Sequence, residues 1–257
     1  MFRFGKMHEL VPEIRKDPSL GRMKPFAILN NTYFVGTYQA SCHLIDTGDG
    51  LIMIDPGYEN TETFVLDSIR ALGFCPEDIR YIVNTHWHGD HTEATASFAA
   101  RSGAKTLIGR DDAEKASRYF TPDILVDDGD TLTLGNVTMR FLHTPGHTKG
   151  TISFFYEVEQ DGRKLRVGTF GGAGLNTLVP EKYDFEGARE AYRKSLHRLR
   201  EIPVDVFIGN HVWNNDTYGK SLRVLAGEKD AFIDPALFGA FLQSYENRLD
   251  EVIKKHP

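Results

Sequence analysis

The sequence predicts an α/β fold of four layers, an αββα sandwich in which two β-sheets pack face to face between outer helices. Two blocks of predicted strands run along the 257-residue chain, and each block is followed by a helical pattern. Polar segments that contain histidine follow several of the predicted strands. We therefore expect the functional loops to gather along one edge of the sandwich.

The first block begins with β-rich sequence and continues into a helix. The polar and glycine-rich residues 46–50 supply a hairpin turn, and residues 61–72 carry apolar side chains at helical spacing before Gly73, a suitable helix end. A further strand and helix are predicted at residues 80–84 and 92–100. The strands before them are predicted at residues 26–37, 41–46 and 51–55.

The second block repeats the order of strands and then helix. Residues 185–199 are amphipathic at helical spacing, and residues 206–211, which begin with an apolar run and end in His211, form a last strand. An apolar stripe over residues 237–253 predicts a C-terminal helix that packs on the sandwich, with a dimer contact as the alternative. We assign residues 1–25 to an N-terminal extension and residues 26–257 to a single domain. The strands of this block are predicted at residues 106–108, 131–134, 137–143, 151–157 and 165–169.

The most informative segment is residues 86–91, which read HWHGDH. His86 and His88 alternate and can point to one side of an extended loop, whereas the adjacent Asp90 and His91 diverge. One short segment can therefore serve two metal ions, and two metals indicate a hydrolytic centre. A strand pattern before the segment and a helix pattern after it favour a metal loop over a histidine-rich surface turn.

Two further ligands are expected downstream, because residues 86–91 alone cannot give two zinc ions three protein ligands each. His147 follows Pro145 and Gly146, which force a tight turn at the end of a predicted strand. His211 follows the apolar run at residues 206–210. Each signal is weak alone, but together with the first motif they predict a binuclear centre.

These three segments, in this order and at these intervals, resemble the metallo-β-lactamase fold superfamily over nearly the whole chain. The resemblance includes residues 54–57, which read IDPG and match the family's Asp-Pro-Gly turn at a strand end. It implies that Asp55 supports the metal loop, although Asp-Pro is also common in ordinary turns.

Subgroups of this superfamily differ between the third and the last ligand, where many hydrolases, glyoxalase II among them, carry a bridging Asp and other lactamases a Cys. Residues 167–176 offer neither, and in this respect the chain is similar to the third subclass of class B β-lactamases. That similarity implies two Zn²⁺ per chain. One zinc would take His86, His88 and His147, and the other Asp90, His91 and His211.

One departure from this subclass concerns the substrate. The subclass places two serines near the metals to receive the antibiotic's carboxylate, whereas the matching positions here are Gly174 and Asn176. Asn176 can donate a hydrogen bond, but Gly174 has no side chain. Other candidate substrate contacts are Trp87, which lies between two ligands, Trp213, which follows His211, and Tyr38, which lies in a loop of the first β-rich segment. For each of these aromatic residues ordinary packing is the alternative.

Composition narrows the partners and the location. The net charge is −6 and the sequence contains no basic run, so we expect a small-molecule substrate and no nucleic acid. No run approaches the length of a membrane span, and residues 1–25 contain no apolar stretch of signal-peptide length. We expect no membrane contact, a monomer or a homodimer, and a cytoplasmic protein as the sequence stands. If a leader has been removed, the protein is periplasmic or secreted.

The resemblance implies a zinc-dependent hydrolase that opens a β-lactam or related cyclic amide through a zinc-bound hydroxide, with Asp90 as both ligand and catalytic residue. This function would give antibiotic resistance. The alternative is a lactonase or (thio)esterase of the same fold. A metal-binding or redox module similar to the di-iron flavoproteins is disfavoured, because the acidic ligands and the flavin domain of those proteins are missing here.

Overall fold

The computed structural model of the chain describes residues 11–257, which form two β-sheets and eight α-helices, with short 3₁₀ helices between them. The first sheet contains β1 (Phe26–Leu29), β2 (Thr32–Phe34), β3 (His43–Asp46), β4 (Leu51–Ile54), β5 (Ile79–Asn84), β6 (Lys105–Gly109) and β7 (Ile124–Val126). The second contains β8 (Thr131–Leu134), β9 (Val137–His143), β10 (Ile152–Gln160), β11 (Arg163–Gly168) and β12 (Val206–Phe207). The helices are α1 (Val11–Lys16), α2 (Glu62–Ala71), α3 (Gly89–Thr92), α4 (Thr95–Ser102), α5 (Ala113–Ala116), α6 (Ala188–Arg200), α7 (Thr217–Leu225) and α8 (Leu237–Lys255).

The strand order in the first sheet follows the chain. Neighbouring strands from β1 to β4 are antiparallel, and those from β4 to β7 are parallel. The second sheet has the order β12-β11-β10-β9-β8, and only its β11–β12 pair is parallel. Because the parallel strands β4 and β5 end at the same edge, the loops that follow them meet there.

Three apolar clusters define the four layers and confirm the predicted αββα sandwich. The largest lies between the sheets and includes Phe34 of β2 and Phe154 of β10. A second packs the outer face of the first sheet against α2 and α4, with Phe98 fully buried. A third packs the second sheet against α6 and α8 through residues such as Tyr192 and Phe241. The apolar stripe predicted at the C-terminus is therefore covered within this chain.

Several predicted elements differ in their bounds. Residues 26–37 form two strands, because the two asparagines at positions 30 and 31 make a hairpin turn, for which Asn is a favoured residue. Residues 92–100 divide between α3 and α4, and the last strand pairs over Val206–Phe207 only. The sequence prediction missed β7, which has three residues, and α7.

The predicted N-terminal extension begins outside the described residues. Within the described part, Ile14 and Met23 are buried in the core between the sheets. None of the helices within residues 11–257 combines the length and the apolar composition needed to cross a membrane.

Candidate metal centre

The candidate ligands lie on loops at one edge of the sandwich. His86, His88, Asp90 and His91 follow β5, and His147 follows β9 after the turn at Pro145 and Gly146. His211 follows β12 and forms an isolated β-bridge with Ala40, which brings it to the same edge. The six residues predicted as ligands are thus brought together from segments far apart in the chain.

Their ligand atoms form two groups of three, each with all atoms within 4.8 Å of one another. The first group contains His86, His88 and His147. The second contains Asp90, His91 and His211, with Asp90 Oδ2 at 3.4 Å from His91 Nε2 and 3.7 Å from His211 Nε2. The rings of His86 and His91 lie 4.3 Å apart, so the two groups are adjacent.

Hydrogen bonds at Nδ1 set the tautomers of the histidines for metal binding at Nε2. His147 Nδ1 donates to the carbonyl of Gly174 at 2.8 Å, and His211 Nδ1 donates to the carbonyl of Gln39 at 2.9 Å. Such bonds orient a ligating imidazole and leave the Nε2 lone pair available. The Nε2 atoms of His86 and His91 are buried with no hydrogen-bond partner among the described residues. A buried polar atom without a partner is costly, and a metal ion would satisfy both. The donor set therefore fits metal ions, and histidine with carboxylate suits zinc.

The first group is composed of neutral imidazoles. Burial, together with the neighbouring histidines, lowers the pKa of His86 and His147 well below the usual value. Burial also lowers the pKa of His88 to about 4. Near neutral pH these rings hold lone pairs rather than protons, which is the form that binds a metal.

In the second group burial lowers the pKa of His211 to about 4, but His91 and Asp90 behave differently. Burial acts to lower the pKa of His91, but the carboxylates of Asp90 and Asp55 outweigh it and raise that pKa to about 10. Burial acts to raise the pKa of Asp90, but His91 and His211 outweigh it and lower that pKa. This side of the centre therefore favours a positive charge between its carboxylates.

Asp55 supports the second group, as the resemblance implies. It is buried, and its backbone has a positive φ of 49°, in the left-handed region that few residues other than glycine adopt. Its Oδ1 accepts from Thr85 N at 2.7 Å, and its Oδ2 accepts from Thr85 Oγ1 at 2.7 Å and from His91 Nδ1 at 2.9 Å. Because Thr85 Oγ1 also lies 3.0 Å from His86 Nδ1, one carboxylate orients a histidine in each group.

A second buried carboxylate, Asp112, was missed by the sequence analysis. Its Oδ2 accepts from Trp87 N at 3.0 Å and from Thr148 Oγ1 at 2.6 Å, and its Oδ1 accepts from Gly150 N at 2.7 Å. It thereby ties the loop of His86 and His88 to the loop of His147. Burial raises the pKa of Asp112 to about 6, although these three hydrogen bonds act to lower it. No local sequence pattern distinguishes it from the adjacent Asp111.

A cavity of about 740 Å³ opens over the two groups. Three of the predicted substrate contacts, Trp87, Asn176 and Trp213, line it, and the Trp213 ring stacks on the His211 ring at 4.4 Å. The prediction that Tyr38 contacts the substrate is corrected, because Tyr38 does not line this cavity. The chain turns back at residues 37–40, so the Tyr38 ring packs against Tyr218 of α7.

Packing explains why residue 174 is a glycine and not the serine of the β-lactamase subclass. Gly174 supplies the carbonyl that holds His147, and a Cβ at this residue would lie 2.8 Å from His147 Cε1 and 2.7 Å from Asn176 Oδ1. Any side chain here would displace a candidate ligand. Gly174 is therefore set by the packing of the first group.

Comparison with known proteins identifies relatives in sequence and in fold. The family model described as the metallo-beta-lactamase superfamily matches residues 35–211. The crystal structure of BJP-1, a subclass B3 metallo-beta-lactamase of Bradyrhizobium japonicum, superposes with a TM-score of 0.85 at 27% identity and covers 91% of this chain and 95% of that chain. These matches confirm the resemblance to the metallo-β-lactamase superfamily and the structural similarity to subclass B3 enzymes.

Two curated relatives carry a different name. A hydroxyacylglutathione hydrolase of Methylococcus capsulatus is 33% identical over 144 residues, which are 55% of this chain and 50% of that protein. One of Rhodospirillum rubrum is 32% identical over 216 residues, which are 80% of this chain and 75% of that protein. The chain therefore spans about half the length of the first relative and about three quarters of the second.

Proposed function

The chain belongs to the metallo-beta-lactamase superfamily and is a metallo-hydrolase, and from this premise we propose that it is a binuclear zinc enzyme that opens a β-lactam or related cyclic amide. The observation that carries the proposal is the donor set. Each group holds three donors, all histidine or aspartate, and within residues 11–257 neither group includes a donor from residues 148–210. His86, His88 and His147 would hold one zinc, and Asp90, His91 and His211 the other.

Two zinc ions, when bound, supply a water activated at neutral pH and an electrophile that polarises the carbonyl. The chain's own residues set the geometry of the reaction. Asp90 Oδ2 is the oxygen that faces both His91 and His211. Oδ1 is then available to accept a hydrogen bond from the attacking water. Because His91 and His211 lower the pKa of Asp90, its carboxyl group stays ionised. This oxygen therefore orients the water through a hydrogen bond and does not retain the proton of the water.

The walls of the cavity position the acyl compound. Trp87 lies between two ligands, and its indole Nε1 donates to Asp184 Oδ1 at 3.2 Å, which holds the ring in place. Asn176 provides an amide at the cavity wall for a carbonyl or carboxylate of the substrate. The aromatic rings of Trp213 and Tyr58 also line the cavity and offer apolar surface to the substrate.

A second candidate is a thioesterase or lactonase. It is supported by Gly174, which removes one of the two serines of the β-lactamase subclass, and by the names of the two curated relatives. The chemistry at the metals is the same for a thioester, a lactone and a cyclic amide, since each passes through a tetrahedral oxyanion. The shape and charge of the substrate pocket therefore determine whether the enzyme acts on a β-lactam or on a thioester or lactone.

Hydrolysis by the purified zinc-loaded protein tests the proposal. A chromogenic cephalosporin, an aryl thioester and an aliphatic lactone are each assayed with and without a chelator, and zinc per chain is measured in parallel. Chelator-sensitive turnover of the cephalosporin with two zinc ions supports the β-lactam proposal. Turnover of the thioester or lactone alone supports the second candidate, and failure on all three substrates would reject both.

A further inference from the structure

Two arginines at the mouth of the cavity have no part in the proposed chemistry. Arg118 follows α5 and Arg248 belongs to α8, and both line the cavity. Elsewhere many arginines form ion pairs with carboxylates, as Arg110 does with Asp127 and Arg198 with Asp128. Neither Arg118 nor Arg248 has such an ion pair with any residue in the range 11–257.

Both guanidinium groups are held against aromatic walls of the cavity. The Arg118 guanidinium lies 4.8 Å from the centre of the Trp87 ring, and its Nε donates to the carbonyl of Lys115 at 3.0 Å. The Arg248 guanidinium lies 4.5 Å from the centre of the Tyr245 ring. Stacking restrains each planar group while its terminal N–H donors stay available. Trp87 lies against His88 of the first group. Tyr245 accepts a hydrogen bond from Asn214, whose Oδ1 accepts from the backbone N–H of His211 in the second group. Each arginine therefore stacks on a ring that is linked to a different ligand group.

The charge balance of the cavity leaves these two arginines uncompensated. The described acidic residues that line it are Asp90, which belongs to the second ligand group, and Glu93. Glu93 and Arg15 both line the cavity and carry opposite charges, so their charges cancel in the total. The cavity thus carries surplus positive charge even though the chain as a whole is at −6.

We propose that Arg118 and Arg248 select substrates that carry a carboxylate away from the bond that is cleaved. This inference rests on the proposed hydrolase function and specifies its substrate class. Arginine recognises a carboxylate through parallel N–H donors, and this pairing would take over the role of the serine that Gly174 excludes. Neutral esters and lactones of the same size would bind more weakly.

Tryptophan fluorescence provides a test that does not depend on turnover. The chain has two tryptophans, Trp87 and Trp213, and both line this cavity. The zinc-loaded protein is titrated with N-benzoylglycine and with N-benzoylglycinamide, which differ in charge but scarcely in size. The ratio of the two dissociation constants measures the preference for the carboxylate. Any contribution of the metals to this ratio is common to all variants.

The variants are Arg118→Gln, Arg248→Gln and the double variant, with Arg140→Gln as the control. Arg140 lies on β9, has no ion pair among the described residues and lines a different cavity. Because ion pairs of exposed arginines are weak, the double variant is expected to lose about tenfold of the preference, and each single variant about threefold. The control should keep the preference of the natural chain.

The two possible failures are distinguishable. A double variant with the same acid-to-amide ratio as the natural chain overturns the inference, as does equal binding of the acid and the amide to the natural chain. Loss of the preference in the double variant but not in Arg140→Gln supports it. The hydrolysis assays above judge the proposed function separately, because fluorescence reports binding whether or not a substrate is cleaved.

Discussion

The two ligand groups lie side by side but differ in charge. The first, His86, His88 and His147, is formed by neutral imidazoles whose pKa values are lowered by burial. The second contains the Asp90 carboxylate, and its His91 is backed by a further carboxylate, Asp55. A cation at the first group is therefore bound by lone pairs, whereas a cation at the second is also bound by opposite charge.

This difference assigns distinct roles to the two sides. If each group held a zinc ion, the ion on the three-histidine side would keep more of its positive charge and would be the stronger electrophile for a carbonyl. The Asp90 side would hold its ion more firmly and would present a carboxylate oxygen to water. The two buried aspartates also divide between the sides: Asp55 contacts His91 of the second group directly and reaches His86 only through Thr85, whereas Asp112 ties together the loops of the first group.

The largest effect is expected from removing one ligand on each side. His147→Ala should remove about one zinc per chain from the first group, and His211→Ala about one from the second, and each should abolish hydrolysis, because both metals are needed for the chemistry. Zinc content by elemental analysis and turnover of the best substrate measure both outcomes.

His197→Ala is the matched control, since His197 is exposed on α6 and pairs with Glu246. It should retain both zinc ions and full activity. Full activity in His147→Ala or His211→Ala would remove that residue from the centre and break the division into two groups.

An intermediate effect is expected from the two supporting aspartates. Each carboxylate accepts three hydrogen bonds, and the amide of an asparagine would turn its NH₂ toward at least one of those donors. Asp55→Asn should weaken metal binding at the second group by about 10- to 100-fold, and Asp112→Asn should weaken it at the first by a similar factor.

Competition with a chromophoric chelator resolves the two affinities of each aspartate variant. If both variants weakened the same metal equally, the assignment of one supporting carboxylate to each group would be wrong. Asp111→Asn, next in sequence to Asp112 but exposed, serves as the control and should leave both affinities unchanged.

The smallest effect is expected at Gly174. A Cβ here would lie 2.8 Å from His147 Cε1. Gly174→Ser should therefore lower the metal affinity of the first group by about tenfold and should not improve β-lactam binding. Gly239→Ala is a suitable control, because no atom within 4 Å would meet its Cβ. Metal affinity from chelator competition and KM for a cephalosporin are measured for both. A lower KM with unchanged metal affinity would show that the pocket accepts the serine.

Much of the fold could be predicted because strands and helices differ in the period of their apolar residues. The candidate ligands could be predicted because six side chains of types that bind metals follow strands at a recognisable spacing. Asp112 could not be predicted in this way, since its donors Trp87 and Gly150 are 25 and 38 residues away and leave no local pattern. The loop position of Tyr38 predicts a place in the cavity, but a tight turn directs its ring to Tyr218 of α7.

By itself, the sequence determined the types of donor atom, the strands that present them and the order of the layers, because these depend on residue chemistry and on periods of a few residues. Only the tertiary structure decided which carboxylate supports which ligand loop, why position 174 is a glycine, and which arginines reach the cavity. Those features depend on distances between residues far apart in the chain, such as Asn176 on its loop and Arg248 on α8, and packing of the finished sandwich sets such distances.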